Sequence, residues 1–359
     1  MTTSRRAPSS FVTSAVISSR YIPVWVANVL LIVVAIAIAP ETLSATSLSA
    51  ALPLTSFLAI VALGQMLVIM TGGIDLSVPS IMTMAAITTV GTANGVDERL
   101  AQAILTALAV AALVGLVNGL LVGVLKLNPV IVTLAVGQCV RGLALAYASG
   151  IANESAVPDT LSKWATQQFL GISWVVWVGI LGTLTLALLL RYTAAGRRFQ
   201  SVGANPVAAW IAGIHINLYV VFAYISAAML YGLGGILLAG FIRSPSLSLG
   251  DPYLLAPIAV VVIGGASLTG GLASAVSTWG AAFFLTLLSQ MLRVLNLSSA
   301  LQFVAFGAAI IGGMIVSGDR IVTLVERLFQ GAAVRTDDDT LEAAGARVNG
   351  AAPPPEKRK

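Results

Sequence analysis

Runs of about 20 mostly apolar residues recur along the chain from Ile22 to Val316, and at ~1.5 Å rise per residue each can cross ~30 Å of hydrocarbon as a helix. This repetition constrains the fold more than any other feature. Of 359 residues, 58% are hydrophobic and 9% charged, far from the balance of a water-soluble domain. Backbone groups cannot stay unpaired in lipid, and the runs are too uniformly apolar for the alternating strands of a barrel. The expected fold is therefore all-α, a polytopic transmembrane helical bundle.

The runs divide into ten spans, near 22–40, 51–71, 78–94, 100–125, 128–149, 172–192, 215–240, 252–265, 273–294 and 300–317. Ten crossings put both termini on one side. Taking that side as the cytoplasm places Arg5, Arg6, Arg20, Lys126, Arg191, Arg197, Arg198, Arg320 and Arg327 inside, against Arg99, Lys163, Arg243 and Arg293 outside. Nine cations to four favours this N-in, C-in orientation. The expected domains are a cytoplasmic segment 1–21, a membrane domain 22–317 and a cytoplasmic tail 318–359, whose Asp337–Asp339 run and AAPPPEKRK end read as solvated and disordered. Ala37, Ile38 and Ala39 resemble a signal-peptide cleavage site, but Pro40 and the long basic lead favour an uncleaved first span. The formal charge of +5 follows from these basic loops and does not imply nucleic acid. The single cysteine, Cys139, lies in an apolar run and is expected to be packing.

Much chemistry is excluded. A P-loop needs a glycine-rich turn with lysine after glycine, and none of the four lysines follows a glycine. Catalysis by metal or by acid and base needs clustered ionisable groups, yet the chain has one His, one Cys and scattered carboxylates, so neither enzyme activity, cofactor nor metal is expected. An ion-coupled carrier usually needs ionisable groups at the bilayer midplane. Only Asp75 and Arg141 come near, and both are expected toward span ends. What remains is a set of polar, uncharged groups, Gln65, Asn118, Gln138, Gln290, Asn296 and Gln302, which suit a pathway for a neutral solute or, equally, hydrogen bonds between helices.

Three blocks carry a resemblance. They are GQMLVIMTGGIDLSVPS at Gly64–Ser80, the stretch Gly115–Ala146 with NGLL, PVIVTL and RGLA, and the pair GRRFQSVGANPVAAWIAGI (Gly196–Ile214) and GDPYLLAPIAVVVIGGASLTGG (Gly250–Gly271). Together they span most of the membrane domain, and the chain resembles the permease subunits of ribose-type ATP-binding cassette sugar importers. That family includes a branched-chain amino acid branch, and TGGIDLSV points to the sugar branch. Pro79 replaces the usual glycine of SVGS, and Val207, Trp210, Leu272 and Ala273 also depart from the pattern.

The resemblance implies a permease that moves a monosaccharide such as ribose, xylose or galactose through the cell inner membrane. Its implied partners are a second permease chain, two cytoplasmic ATPase subunits, where ATP is hydrolysed, and an extracytoplasmic sugar-binding protein. It also implies that Gly203–Gly213 is the coupling helix seated on the ATPase. Locally this is consistent: Asn205 can cap, Pro206 suits a first helical position, Ala208, Ala209 and Ala212 favour a short helix, and Gly213 ends it, with Trp210 as the anchor. Gly72, Gly73 and Asp75 are expected at the cytoplasmic end of the second span, as a gating element or a cap on the third helix. Gly264, Gly265, Gly270 and Gly271 read as hinge or packing positions, and His215 as a surface residue. A branched-chain amino acid or nucleoside permease is the alternative, followed by an ion-coupled carrier and a purely structural subunit.

Overall fold

In the computed structural model, residues 21–150 and 156–317 are described. Segments 1–20 and 318–359, which hold most of the expected N-terminal segment and the whole tail, lie outside them. The apolar runs form α1 (Ile22–Ile38), α2 (Ala45–Met70), α3 (Val78–Ala93), α4 (Leu100–Gly119, extended by a π turn at Leu120–Val124) and α5 (Pro129–Ser149). After a short α6 (Asp159–Thr166) come α7 (Trp174–Tyr192), α8 (Ala194–Ala204), α9 (Pro206–Ile211), α10 (Ile216–Ile242), α11 (Ala256–Ile263), α12 (Ala275–Val294) and α13 (Ser299–Ser317). The protein is a helical membrane bundle, and among the described residues six stretches are long and apolar enough to cross a membrane: Ala45–Met70, Asp97–Val124, Pro129–Ser149, Trp174–Tyr192, Ile216–Ile242 and Ala275–Val294. Apolar helices at Ile22–Ile38, Val78–Ala93 and Asp251–Ile263 are shorter.

Helix α2 forms the axis, with 83% of its most apolar window buried, against 28% for α5 and for α7. With no hydrophobic drive between helices in lipid, close backbone approach supplies the packing, and small residues permit it. Gly115, Gly119 and Gly123, four apart on α4 and its π turn, face Tyr224, Val221 and Val220 of α10. On the same helix Gly234 meets Val61 of α2, and Gly235 leaves no room for a methyl against the Met82 backbone of α3.

The expected span at 252–265 is a shorter helical stretch than those six, a 3-10 turn at Asp251–Tyr253 followed by the eight residues of α11. The chain enters it from a segment folded inward, for Gly250 N–H donates to Thr83 Oγ1 of α3 at 3.1 Å and its backbone touches that of Pro79. One β-hairpin, absent from the all-helical expectation, pairs Gln168 with Ser173 and Phe169 with Ile172. Leu170 and Gly171, at φ 54° and 77°, supply the left-handed pair such a turn requires. Phe169, Trp164 and Trp174 stack around it, with Trp177 edge-on, an aromatic group of the kind that settles at a membrane boundary.

Candidate functional site

At Met70 the axial helix ends, and the chain turns back through Gly72, at φ 82°, a backbone state that favours glycine. Residues 71–77 then run back into the bundle instead of crossing its surface. Asp75 is fully buried, beside Gln65 of α2, five residues or about 8 Å above that helix's end. The Gln65 carboxamide grips the Asp75 backbone. Its carbonyl accepts from the Asp75 N–H at 3.2 Å, and its NH2 donates to the Asp75 carbonyl at 3.1 Å and to the Tyr231 hydroxyl at 3.0 Å. Thr133 Oγ1 of α5 accepts the Leu76 N–H at 2.9 Å. A methyl on Gly73 would lie 2.6 Å from the Tyr224 hydroxyl, so any side chain there has to displace the buried Tyr224.

Asp75 was expected at the cytoplasmic end of the second span, in a gating element or as a cap on the third helix, and it is buried in the bundle without capping α3. Its Oδ1 accepts both the Ser77 N–H at 2.8 Å and the Ser77 hydroxyl at 2.5 Å, while α3 begins with no side-chain cap. This local turn gives the carboxyl two donors in place of water, which a buried acid needs. Asn118 Nδ2 of α4 donates to the same Ser77 hydroxyl at 2.9 Å. Asp75 Oδ2, Asn118 Oδ1 and the Tyr224 hydroxyl are buried without a partner among the described residues. Four helices, α2, α4, α5 and α10, thus close a polar seam around a broken crossing, the arrangement that membrane transporters use where backbone must line a cavity or move.

A second element is the elbow α8–α9. Asn205 accepts the Ala208 N–H at 3.0 Å, Pro206 opens α9, and Gly213 leaves it at φ 78°. Ala209 turns inward, whereas Val207, Trp210 and Ile211 are 68%, 71% and 75% exposed. Gly203 ties this elbow to the core. A methyl there would overlap the Met70 carbonyl oxygen, and Gly271 N–H donates to that oxygen at 2.9 Å. The ends of α2, α8 and the 264–271 turn therefore meet, with Gly265, Gly270 and Gly271 at positive φ.

Of the polar candidates, the structure brings Gln65 and Asn118 into the seam. Gln138 lies elsewhere, on the exposed side of α5, and so does Cys139, which is exposed instead of packed. Gln290 Oε1 accepts from Arg293 at 2.7 Å and its Nε2 reaches Ser47 at 3.5 Å, while Asn296 takes a left-handed turn after α12 at φ 54°. Neither joins the seam. Arg141 was expected toward a span end and is instead the thirteenth of the 21 residues of α5. Sequence reasoning missed Tyr224, Tyr231, Ser77 and Thr133. The two tyrosines sit seven apart in an apolar helix, a spacing that puts both hydroxyls on one face.

Against this geometry, residues 47–317 match the family described as the branched-chain amino acid transport system / permease component. The chain is 29% identical over 298 residues to the ribose import permease protein RbsC of Escherichia coli strain K12, covering 82% of this chain and 92% of that one. It is 34% identical over 258 residues to RbsC of Bacillus subtilis, covering 70% and 78%. It is also 32% identical over 302 residues to the autoinducer 2 import system permease protein LsrC of Klebsiella pneumoniae, covering 84% and 87%. No solved structure matches the chain.

Proposed function

The chain belongs to the family of permease components described as the branched-chain amino acid transport system, and from that premise we propose that it is the multi-pass permease through which an ATP-binding cassette importer carries a monosaccharide across the cell inner membrane. One observation carries the choice of solute. Relatives that align over most of the membrane domain are named for import of ribose and autoinducer 2, and a further one, from Azospirillum brasilense and 29% identical, for L-arabinose. The family supplies the membrane component and not a catalytic subunit. ATP is hydrolysed on two separate cytoplasmic subunits, a second permease chain completes the pathway, and an extracytoplasmic binding protein delivers the sugar.

Docking of the ATPase falls to Asn205, Pro206, Ala208, Ala209, Trp210 and Gly213. What supports this is the capped helix α9, whose Val207, Trp210 and Ile211 no described residue covers, together with its close junction to the end of α2. Gly72, Gly73 and Asp75 then act as the gate joined to that elbow, with Gln65 and Asn118 as its frame. Ten spans with both termini inside remain the proposed topology, and two sets of contacts support it. The connections assigned inside meet at Met70, Gly203 and Gly271, and those assigned outside meet where Thr160 N–H donates to Asp97 at 2.9 Å. The family match ends at residue 317, in keeping with a membrane domain of 22–317 and a cytoplasmic tail beyond it.

The test is purification of the tagged chain from native membranes, identification of co-purifying chains, and uptake by the reconstituted complex. An ATPase that co-purifies, with ATP-dependent uptake of a monosaccharide, is the expected result. Uptake of a branched-chain amino acid or nucleoside in its place overturns the choice of solute. Movement of solute by the chain alone, without ATP, overturns the importer reading.

A further inference from the structure

Arg141 and Asp251 form an ion pair, Nη1 to Oδ1 at 3.5 Å, whose side chains are 54% and 46% exposed on the isolated chain. Arg141 lies well inside a helix long and apolar enough to cross a membrane, and Asp251 is brought to it. Arg141 sits twelve residues beyond Pro129 and eight before Ser149, about 18 Å and 12 Å from the two ends of α5. Asp251 follows Gly250, whose backbone is held against Pro79 and Thr83 at the start of α3. Gln138 precedes Arg141 by three residues on the same helix and is also exposed, so the two share a face. Gly142 beside them has nothing within 4 Å of its Cβ position.

An exposed charge far from a helix end is costly when it faces lipid, so ionisable groups in membrane helices turn toward protein or water. Apolar helices elsewhere on the surface, α1 above all, meet lipid at no such cost. A guanidinium, a carboxylate and a carboxamide also make a matched set for a polyol. Arginine offers fixed N–H donors, aspartate accepts from hydroxyls, and glutamine does both. We infer that Gln138, Arg141 and Asp251 form a water-exposed station for sugar hydroxyls on the wall of the solute pathway, facing the second permease chain. This deepens the proposed function and rests on it.

The test uses the whole importer complex with Cys139→Ser as parent. Gly142→Cys and, as a lipid-facing control on α1, Leu30→Cys are exposed to a charged, membrane-impermeant methanethiosulfonate. The station predicts modification at position 142 at least tenfold faster than at position 30, and slowed at least threefold by whichever of ribose, arabinose or galactose the parent imports. In parallel, Arg141→Gln raises the KM for that sugar at least tenfold while the complex still assembles and hydrolyses ATP. Equal rates at the two positions, or fast modification that the imported sugar does not slow, overturn the station while leaving the importer intact. The labelling arm keeps Arg141, so a poorly folding Arg141→Gln does not weaken it. A parent that imports none of the three sugars overturns the solute assignment and this site together, whereas a station without water access leaves sugar uptake unaffected.

Discussion

The connection 71–77 and the elbow α8–α9 invert each other. The first is polar and buried, with Asp75 and Ser77 wholly enclosed, and the second is amphipathic and displays Val207, Trp210 and Ile211. In a self-sufficient domain each would be an error, for buried polar groups cost free energy and exposed apolar ones gain none. The seam offsets much of its cost internally, through Gln65, Thr133 and Asn118, and leaves Asp75 Oδ2, Asn118 Oδ1 and the Tyr224 hydroxyl without a partner among the described residues. The elbow has no such internal offset, and its apolar side chains are settled only by something outside the chain. What the contrast teaches is that a buried polar seam is closed by the chain's own side chains, whereas the exposed apolar face of α9 is left for lipid or another chain to cover.

Five substitutions sharpen the contrast. Gly203→Val has the largest expected effect, because the Met70 carbonyl and the Gly271 amide leave its side chain no space. A loss of about 4 kcal/mol or more is expected, read as collapse of thermal stability in detergent; a near-normal melting temperature would sever the elbow from the seam. Asp75→Ala follows at about 3 kcal/mol, since it strands the Ser77 N–H and hydroxyl in a buried site. Asp75→Asn keeps an acceptor for both, so normal stability with lost uptake would isolate a role for the charge, and normal uptake would exclude one. Trp210→Ala should leave the melting temperature alone but weaken the association with the ATPase by about 2 kcal/mol, lowering transport-coupled hydrolysis; unchanged hydrolysis in the reconstituted complex sinks the docking role. Asn205→Ala comes last, at about 1 kcal/mol for a lost helix cap, visible as a modest fall in coupling with the fold intact.

The helices were legible because lipid requires long apolar runs. Runs read as 78–94, 215–240 and 273–294 appear as Val78–Ala93, Ile216–Ile242 and Ala275–Val294. The α9 capping chemistry was legible too, since Asn, Pro and Gly act on their near neighbours. The depth of Asp75 was not. Whether a Gly-Gly turn returns along the surface or into the bundle is settled by Gln65, Thr133 and Asn118, on three other helices, and no local pattern contains them. The Arg141–Asp251 pair was hidden for the same reason, its members being 110 positions apart.

The backbones of Gly250 and Pro79 touch with no side chain between them. Rotamers are the usual slack in a protein interior, and this junction has none to take up. The segment that leads into α11 and the start of α3 are therefore joined backbone to backbone, like two arms of a lever on one pin.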